Sequence, residues 1–172
     1  LSGMVSTERL SELLKRPEGI NLEPRSATVS IMFVEVVGLT ATCAEKPPRQ
    51  AFELLKSTLA EITAIIFRHG GIAEKGYSHG IYFYFGYDLL QSGTRADHAD
   101  AALACAIDLQ RYWIQRTASA EQTVFPLRIS VNTSSVYFGD LGASSGVELN
   151  MIGYGVEDAK RIAALAEDYR IV

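Results

Sequence analysis

Apolar residues recur at helical or strand spacing along most of the chain. Leu10, Leu13 and Leu14, with Glu12 on the other face, predict a short helix from a Ser6 or Thr7 cap to about Lys15. Pro17-Glu18-Gly19 ends it and Pro24 marks a second break, so residues 1–25 read as an entry helix and linker outside the main core. Ala27 to Val37 is a β-rich run closed by Gly38. Phe52, Leu54, Leu55, Leu59, Ile62, Ile65 and Ile66 then follow helical spacing and predict a long helix from Arg49 to about His69. Gly70-Gly71 stops that helix. Two short strands follow, about Ile72–Lys75 and Ile81–Phe85, joined by Gly76-Tyr77-Ser78-His79-Gly80. A second long helix is expected from about Ala96 to Gln115, on Ala101, Ala104, Ile107, Leu109 and Trp113. Strands at Phe125–Val131 and Ser135–Phe138, a loop with Gly139, Gly142 and Gly146, and a strand about Glu148–Ile152 lead to a third helix, about Val156–Glu167. Asp168 to Val172 reads as the start of a further strand, which suggests a fragment of something larger with its carboxy-terminal strands cut off.

The element order is βαββαβ with additions. That order predicts an α+β, ferredoxin-like sheet with its helices on one face, a scaffold that serves many functions. The length of 172 residues suits one domain. The 48% hydrophobic and 21% charged residues are ordinary for a globular chain, and the longest apolar runs are too short to span a membrane. The net charge of −4, without a dense basic stripe, argues against nucleic-acid binding. Cys43 and Cys105 alone make neither a disulfide framework nor a four-ligand metal site, consistent with a reduced, cytoplasmic setting.

The chemistry is concentrated in a few ordered blocks. Ile31-Met32-Phe33-Val34-Glu35-Val36-Val37-Gly38-Leu39-Thr40 places a carboxylate at a strand end just before a glycine. His69-Gly70-Gly71 through Lys75, Tyr82 to Gly86, Asp97-His98-Ala99, Leu127-Arg128-Ile129, Met151-Ile152-Gly153 and Ala159-Lys160-Arg161-Ile162 follow in sequence. Together these blocks resemble the class III adenylate and guanylate cyclase catalytic domain over residues 26–172.

The resemblance implies a domain that cyclises a nucleoside triphosphate. Two Mg²⁺ or Mn²⁺ ions would be held by two Asp residues, a Lys and an acidic residue would read the purine, and an Asn and Arg on the third helix would stabilise the transition state. It also implies a head-to-tail dimer, because each site draws residues from two chains. On this sequence the metal positions fall on Glu35 and His79, the purine-reading positions on Lys75 and Glu148, the phosphate turn on Gly38, and the third-helix pair on Glu157 and Arg161. Glu35 displaces the carboxylate by a methylene, and His79 offers an imidazole, better suited to Zn²⁺, Ni²⁺ or Cu²⁺ than to Mg²⁺. Glu157 brings negative charge towards an anionic phosphate, and Tyr154 replaces the Asp expected after Gly153.

These replacements imply a degenerate cyclase domain with little or no turnover and no resident metal, acting as a dimerising signalling module. The alternative is an active adenylate cyclase acting on ATP with altered metal preference, or half of a heterodimer. In the first reading, the amino-terminal helix followed by Arg16-Pro17-Glu18-Gly19 resembles the linker that often precedes such domains in membrane-bound bacterial receptors, which implies a cytoplasmic output domain of a larger protein without membrane contact of its own. Taken residue by residue, plainer roles also stand. Glu35 fits a solvated strand-end carboxylate, His79 a surface histidine in a polar hairpin, and Lys75 a strand-edge lysine. Arg161 has Glu157 and Asp158 within helical reach, with i,i+4 spacing favouring Glu157. Tyr82 and Tyr84 suit core or dimer-face packing.

Overall fold

The computed structural model describes residues 3–15, 23–74, 80–89, 95–119, 125–140 and 149–172. The elements are α1 (Thr7–Leu14), β1 (Arg25–Val36), α2 (Leu39–Ala44), α3 (Pro48–Arg68), β2 (Ile72–Ala73), β3 (Ile81–Phe85), α4 (His98–Ser119), β4 (Leu127–Asp140), β5 (Leu149–Ile152), α5 (Tyr154–Ala163) and β6 (Arg170–Ile171). The strands form one sheet in the order β2-β3-β1-β4-β5. All neighbours on that path are antiparallel, and β6 adds to β4 in parallel. The predicted α+β, βαββαβ arrangement is therefore present, with β1 at its centre.

Side chains alternate across β1, and the two faces have separate cores. Met32, Val34 and Val36 pack with Ile62, Ile65 and Ile66 of α3 and with Ala102, Cys105, Ala106, Leu109 and Trp113 of α4. The Trp113 indole N–H donates to the Phe125 carbonyl at 2.7 Å, which satisfies its one polar group inside this core. Val29, Ile31 and Phe33 face the other way, towards α1 and α5.

Helices thus cover both faces of the sheet, where the sequence pattern had suggested one. α3 and α4 form the expected layer; α5 and α1 are the additions. α5 sits on Ser130, Asn132 and Ser134 of β4. The Ser130 hydroxyl donates to the Ala159 carbonyl and the Asn132 amide to the Gly155 carbonyl. Small polar side chains and a glycine let the helix approach closely. A Cβ on Gly155 would lie 2.3 Å from Ser134 Cβ.

The entry helix is also not outside the core. Ser6 caps α1, its Oγ accepting from the Arg9 amide at 3.1 Å. Leu13 is fully buried, and Met4 and Val5 are buried beside Ile72, Tyr84, Tyr87 and Leu89. The Ala73 amide donates to the Met4 carbonyl at 2.7 Å, so the segment before α1 covers the outer edge of β2.

β4 is one strand of 14 residues instead of two. The polar run Asn132-Thr133-Ser134-Ser135 stays in the ladder because β1 pairs with β4 continuously from Arg25↔Phe138 to Val36↔Leu127. Cross-strand hydroxyl pairs support it there, Ser30 with Thr133 at 2.7 Å and Thr28 with Ser135 at 3.2 Å. Gly139 lies within this strand, not in a loop, and α2 is a short helix that the periodicity did not reveal.

Candidate functional site

Of the expected site residues, Glu35 and Gly38 lie at the carboxyl end of β1, while Glu157 and Arg161 lie on α5, which packs on the same face of the sheet as Glu35. Glu35 is half-buried there and sits opposite Arg128 in the β1–β4 register. Arg128 Nη1 is 3.7 Å from Glu35 Oε2, while its Nε and Nη2 both lie 2.9 Å from Asp168 Oδ1. Arg128 thus stands between two carboxylates, hydrogen-bonded to Asp168 and only approaching Glu35, whose charge it offsets in part. Gly38 follows with φ +82°, a left-handed turn that suits glycine, and opens α2 as its N-cap.

The next row of the same face holds Tyr82 opposite Phe33, their rings 4.7 Å apart. Glu74 lies across from Tyr82 on the β2 side, its amide donating to the Tyr82 carbonyl at 3.0 Å. The Tyr84 hydroxyl donates to Glu74 Oε2 at 2.9 Å. Burial raises the Glu74 carboxyl above its ordinary range, and the Tyr84 hydrogen bond opposes that shift. The Tyr82 phenol is raised as well, first by burial, then by the Glu157 and Glu74 charges. Glu157, in the first turn of α5, therefore acts electrostatically on the same patch as Glu74. Glu35, Glu74 and Glu157 give this face an acidic character, with Arg128 as the cation paired to Glu35.

Arg161 does not pair with Glu157, contrary to the i,i+4 expectation. It is 82% exposed and only approaches Asp158, at 3.9 Å. A weak contact at that exposure leaves the guanidinium available to other partners. Tyr154 is 90% exposed at the start of α5 and touches nothing of this patch through burial. Lys75, His79 and Glu148 lie outside the described residues. Sequence reasoning missed Arg128 and Glu74. Arg128 stood inside the quoted Leu-Arg-Ile strand, but its partners become visible only once β1, β4 and the segment before β6 are aligned. For Glu74 the signal was present, since it shares strand parity with Ile72 opposite Tyr84.

Residues 22–172 match the family described as Adenylate and Guanylate cyclase catalytic domain. The chain belongs to that family. An uncharacterized protein of Mycobacterium tuberculosis is 30% identical over 142 residues, covering 82% of this chain and 23% of its own length. An adenylate cyclase of Anabaena cylindrica is 27% identical over 164 residues, or 89% of this chain and 31% of that protein. The cyclase domain therefore spans less than a third of these relatives. Among solved structures, the adenylyl cyclase CyaB from P. aeruginosa superposes with a TM-score of 0.73 at 22% identity, over 87% of this chain and 78% of that one. That likeness confirms the cyclase fold.

Active members of the family are metal-dependent; of the two metal positions only Glu35 lies among the described residues. Glu35 itself lies 3.7 Å from the Arg128 guanidinium. Among the described residues, no helix is long and apolar enough to cross a membrane.

Proposed function

We propose that this cyclase domain has little or no cyclase activity and works as a dimerising signalling module. The observation that carries this reading is the Glu35–Arg128 pair at 3.7 Å, in a face that also bears Glu74 and Glu157. A nucleoside triphosphate carries concentrated negative charge. Bringing it to three carboxylates, with the nearest arginine already shared between Glu35 and Asp168, costs free energy that divalent cations normally offset. The His79 replacement in the sequence removes a second hard oxygen ligand from the same site. Lys75, Glu148 and the Gly38 turn would be recognition residues kept without the chemistry.

A second reading is supported by Arg161. Its exposure and weak pairing leave it able to reach a nucleotide held by another chain, as one half of a head-to-tail homodimer or of a heterodimer with a metal-competent partner. In that case ATP, with Mg²⁺ or Mn²⁺, would be bound mainly by the partner's residues. In either case the domain acts as the output part of a longer receptor on the cytoplasmic side of a membrane.

The test is a cyclase assay at high protein concentration with ATP and GTP, in Mg²⁺ and separately in Mn²⁺. The wild type is compared with the Glu35→Asp, His79→Asp, Glu157→Asn triple variant. The expected result is a silent wild type and measurable turnover in the variant. Clear turnover by the wild-type homodimer would sink the first reading. Turnover appearing only when a metal-competent cyclase partner is added, and lost in Arg161→Ala, would select the second.

A further inference from the structure

A cleft of about 500 Å³ lies between α1, the end of α3, the end of β3 and the start of α4. It lies at the opposite end of β3 from Glu35. Phe85, which lines it, pairs with Ser30 in mid-β1, whereas Ile81 at the other end of β3 pairs with Val34. Its size is that of a small-molecule site.

The lining is richer in cations than the chain that carries it. Arg9, Arg68 and Arg95 face Asp88 and Asp97 around the cleft, in a protein of net charge −4. The three arginines are not equivalent. Arg9 is committed, with Nη1 on Glu12 at 2.9 Å and Nη2 on Asp88 at 2.8 Å. Arg95 grips Asp97 through Nε at 3.1 Å and Nη2 at 2.8 Å, which fixes the guanidinium plane. Its remaining Nη1 projects over Gly70, 4.0 Å from where a Cβ on that glycine would stand. Arg68 pairs with no carboxylate among the described residues, although it lines the same cleft. His98 holds its Nδ1 against the Ser30 hydroxyl at 2.9 Å, which leaves Nε2 for another partner.

The wall between these groups is kept open by backbone. Gly70, with φ +78°, lies between Arg68 and Gly71. A Cβ on Gly86, where φ is +103°, would lie 2.6 Å from His98 Cβ. A side chain there would displace the imidazole from its place in the wall.

We propose that this cleft binds a small phosphate monoester, with Arg68 and Arg95 Nη1 as its donors and His98 Nε2 as a third contact. The Arg68 guanidinium can offer its planar fork to the tetrahedral dianion, Arg95 adds the single Nη1 that Asp97 leaves, and the donors come from three separate segments around one space. Val5 and Ser6 complete the cleft from the α1 side, so a bound ligand would bridge the amino-terminal helix and the body of the domain.

The test is an NMR titration of the whole chain with ribose 5-phosphate, followed at the backbone amides of Gly70, Gly71 and Gly86. The expected result is saturable shifts at these glycines, weakened roughly tenfold or more in Arg68→Glu, as loss of a charge-assisted contact requires. Arg68→Gln should weaken binding by a smaller factor. Because Arg68 is exposed and forms no ion pair among the described residues, both variants should fold. Lys56→Glu, an exposed change on α3 outside the cleft, should bind as the wild type does. Three outcomes would overturn the proposal. The first is no saturable shift up to about 10 mM ligand. The second is equal affinity in Arg68→Glu. The third is inorganic phosphate binding as tightly as the ester, which would reduce the cleft to a bare oxyanion contact.

Discussion

Gly155→Ala probes the seat of the helix that carries Glu157 and Arg161. The added Cβ would stand 2.3 Å from Ser134 Cβ, 2.5 Å from Ser134 Oγ and 3.2 Å from Ile31 Cδ1. Turning the Ser134 hydroxyl relieves only the second contact. Ser134 Cβ is fixed to the backbone of a strand paired along its length with β1, so α5 itself must shift. Overpacking of this kind costs about 1–3 kcal/mol. Alanine recovers up to ~1 kcal/mol through helix propensity, less so in a first turn. The net expectation is a loss of about 1–2 kcal/mol, or a fall in Tm of roughly 3–8 °C for a domain of this size. Urea denaturation measures it, with the slope of the transition as a check that the unfolded state is unchanged. Ser134→Gly removes both of the closest atoms, so the double variant should be more stable than the sum of the two single losses predicts, with positive coupling of about 1 kcal/mol. An unchanged midpoint in Gly155→Ala, or strict additivity in the double variant, would refute the close α5–β4 seat.

Leu13→Ala should cost ~2–5 kcal/mol if α1 is part of the core, as its complete burial requires; a loss below ~0.5 kcal/mol in urea denaturation would return α1 to the status of a linker. Glu74 has a folded-state pKa raised by burial, so the native state holds its proton more tightly than the unfolded chain. Its contribution to stability is therefore fully present below the unfolded value and is lost as pH rises through the raised one. Glu74→Gln, which keeps an acceptor for the Tyr84 hydroxyl, should be more stable than wild type at neutral pH and lose that advantage in acid; a difference that does not change with pH would exclude the buried carboxylate as its source. The Cys105 thiol, buried and pushed up to about 12, should resist a thiol reagent in the native protein, whereas partly exposed Cys43 should react. Native labelling of both at similar rates would contradict the packing of α4 on the sheet.

The parts of the fold that the sequence revealed are those in which one element carries its own evidence. α3 shows seven apolar positions at helical spacing, and the β1 run is dense in β-branched residues, so neither needs a neighbour to be recognised. The parts that were misread depend on partners. The segment Asn132 to Ser134 falls between two strands by composition and is continuous strand because β1 offers a continuous partner, with Ser30 meeting Thr133 and Thr28 meeting Ser135. α1 looks like a linker helix because only a narrow stripe of it is apolar, yet Ile72, Tyr84 and Leu89 provide the surface that buries that stripe. The site divides in the same way. Glu35, Gly38, Glu157 and Arg161 could be placed by motif order, whereas Arg128 depends on three segments distant in sequence. Helical spacing suggested a Glu157–Arg161 pair, but Glu157 acts on Tyr82 while Arg161 stays in solvent.

The seat of α5 also explains how this scaffold tolerates such different chemistry at its functional positions. The helix is fixed by Gly155 against Ser134, by Ser130 bonded to the Ala159 carbonyl, by Asn132 bonded to the Gly155 carbonyl, and by buried Ala159 and Ala163. None of these contacts uses Glu157 or Arg161, which project from other positions of the same helix. Glu35 likewise contributes through a partly exposed pair, a contact worth about 1 kcal/mol or less. Substitutions at 35 and 157 can therefore change what the face attracts or repels while leaving the sheet, the helix seat and the α3–α4 layer in place. Stability and the charge of this face are separable here because backbone carbonyls and small residues hold the helix, while the charges sit on side chains that the packing does not need. For that reason the Glu35→Asp, His79→Asp, Glu157→Asn variant is a fair test of the chemistry: its described substitutions touch none of the contacts that hold the domain together.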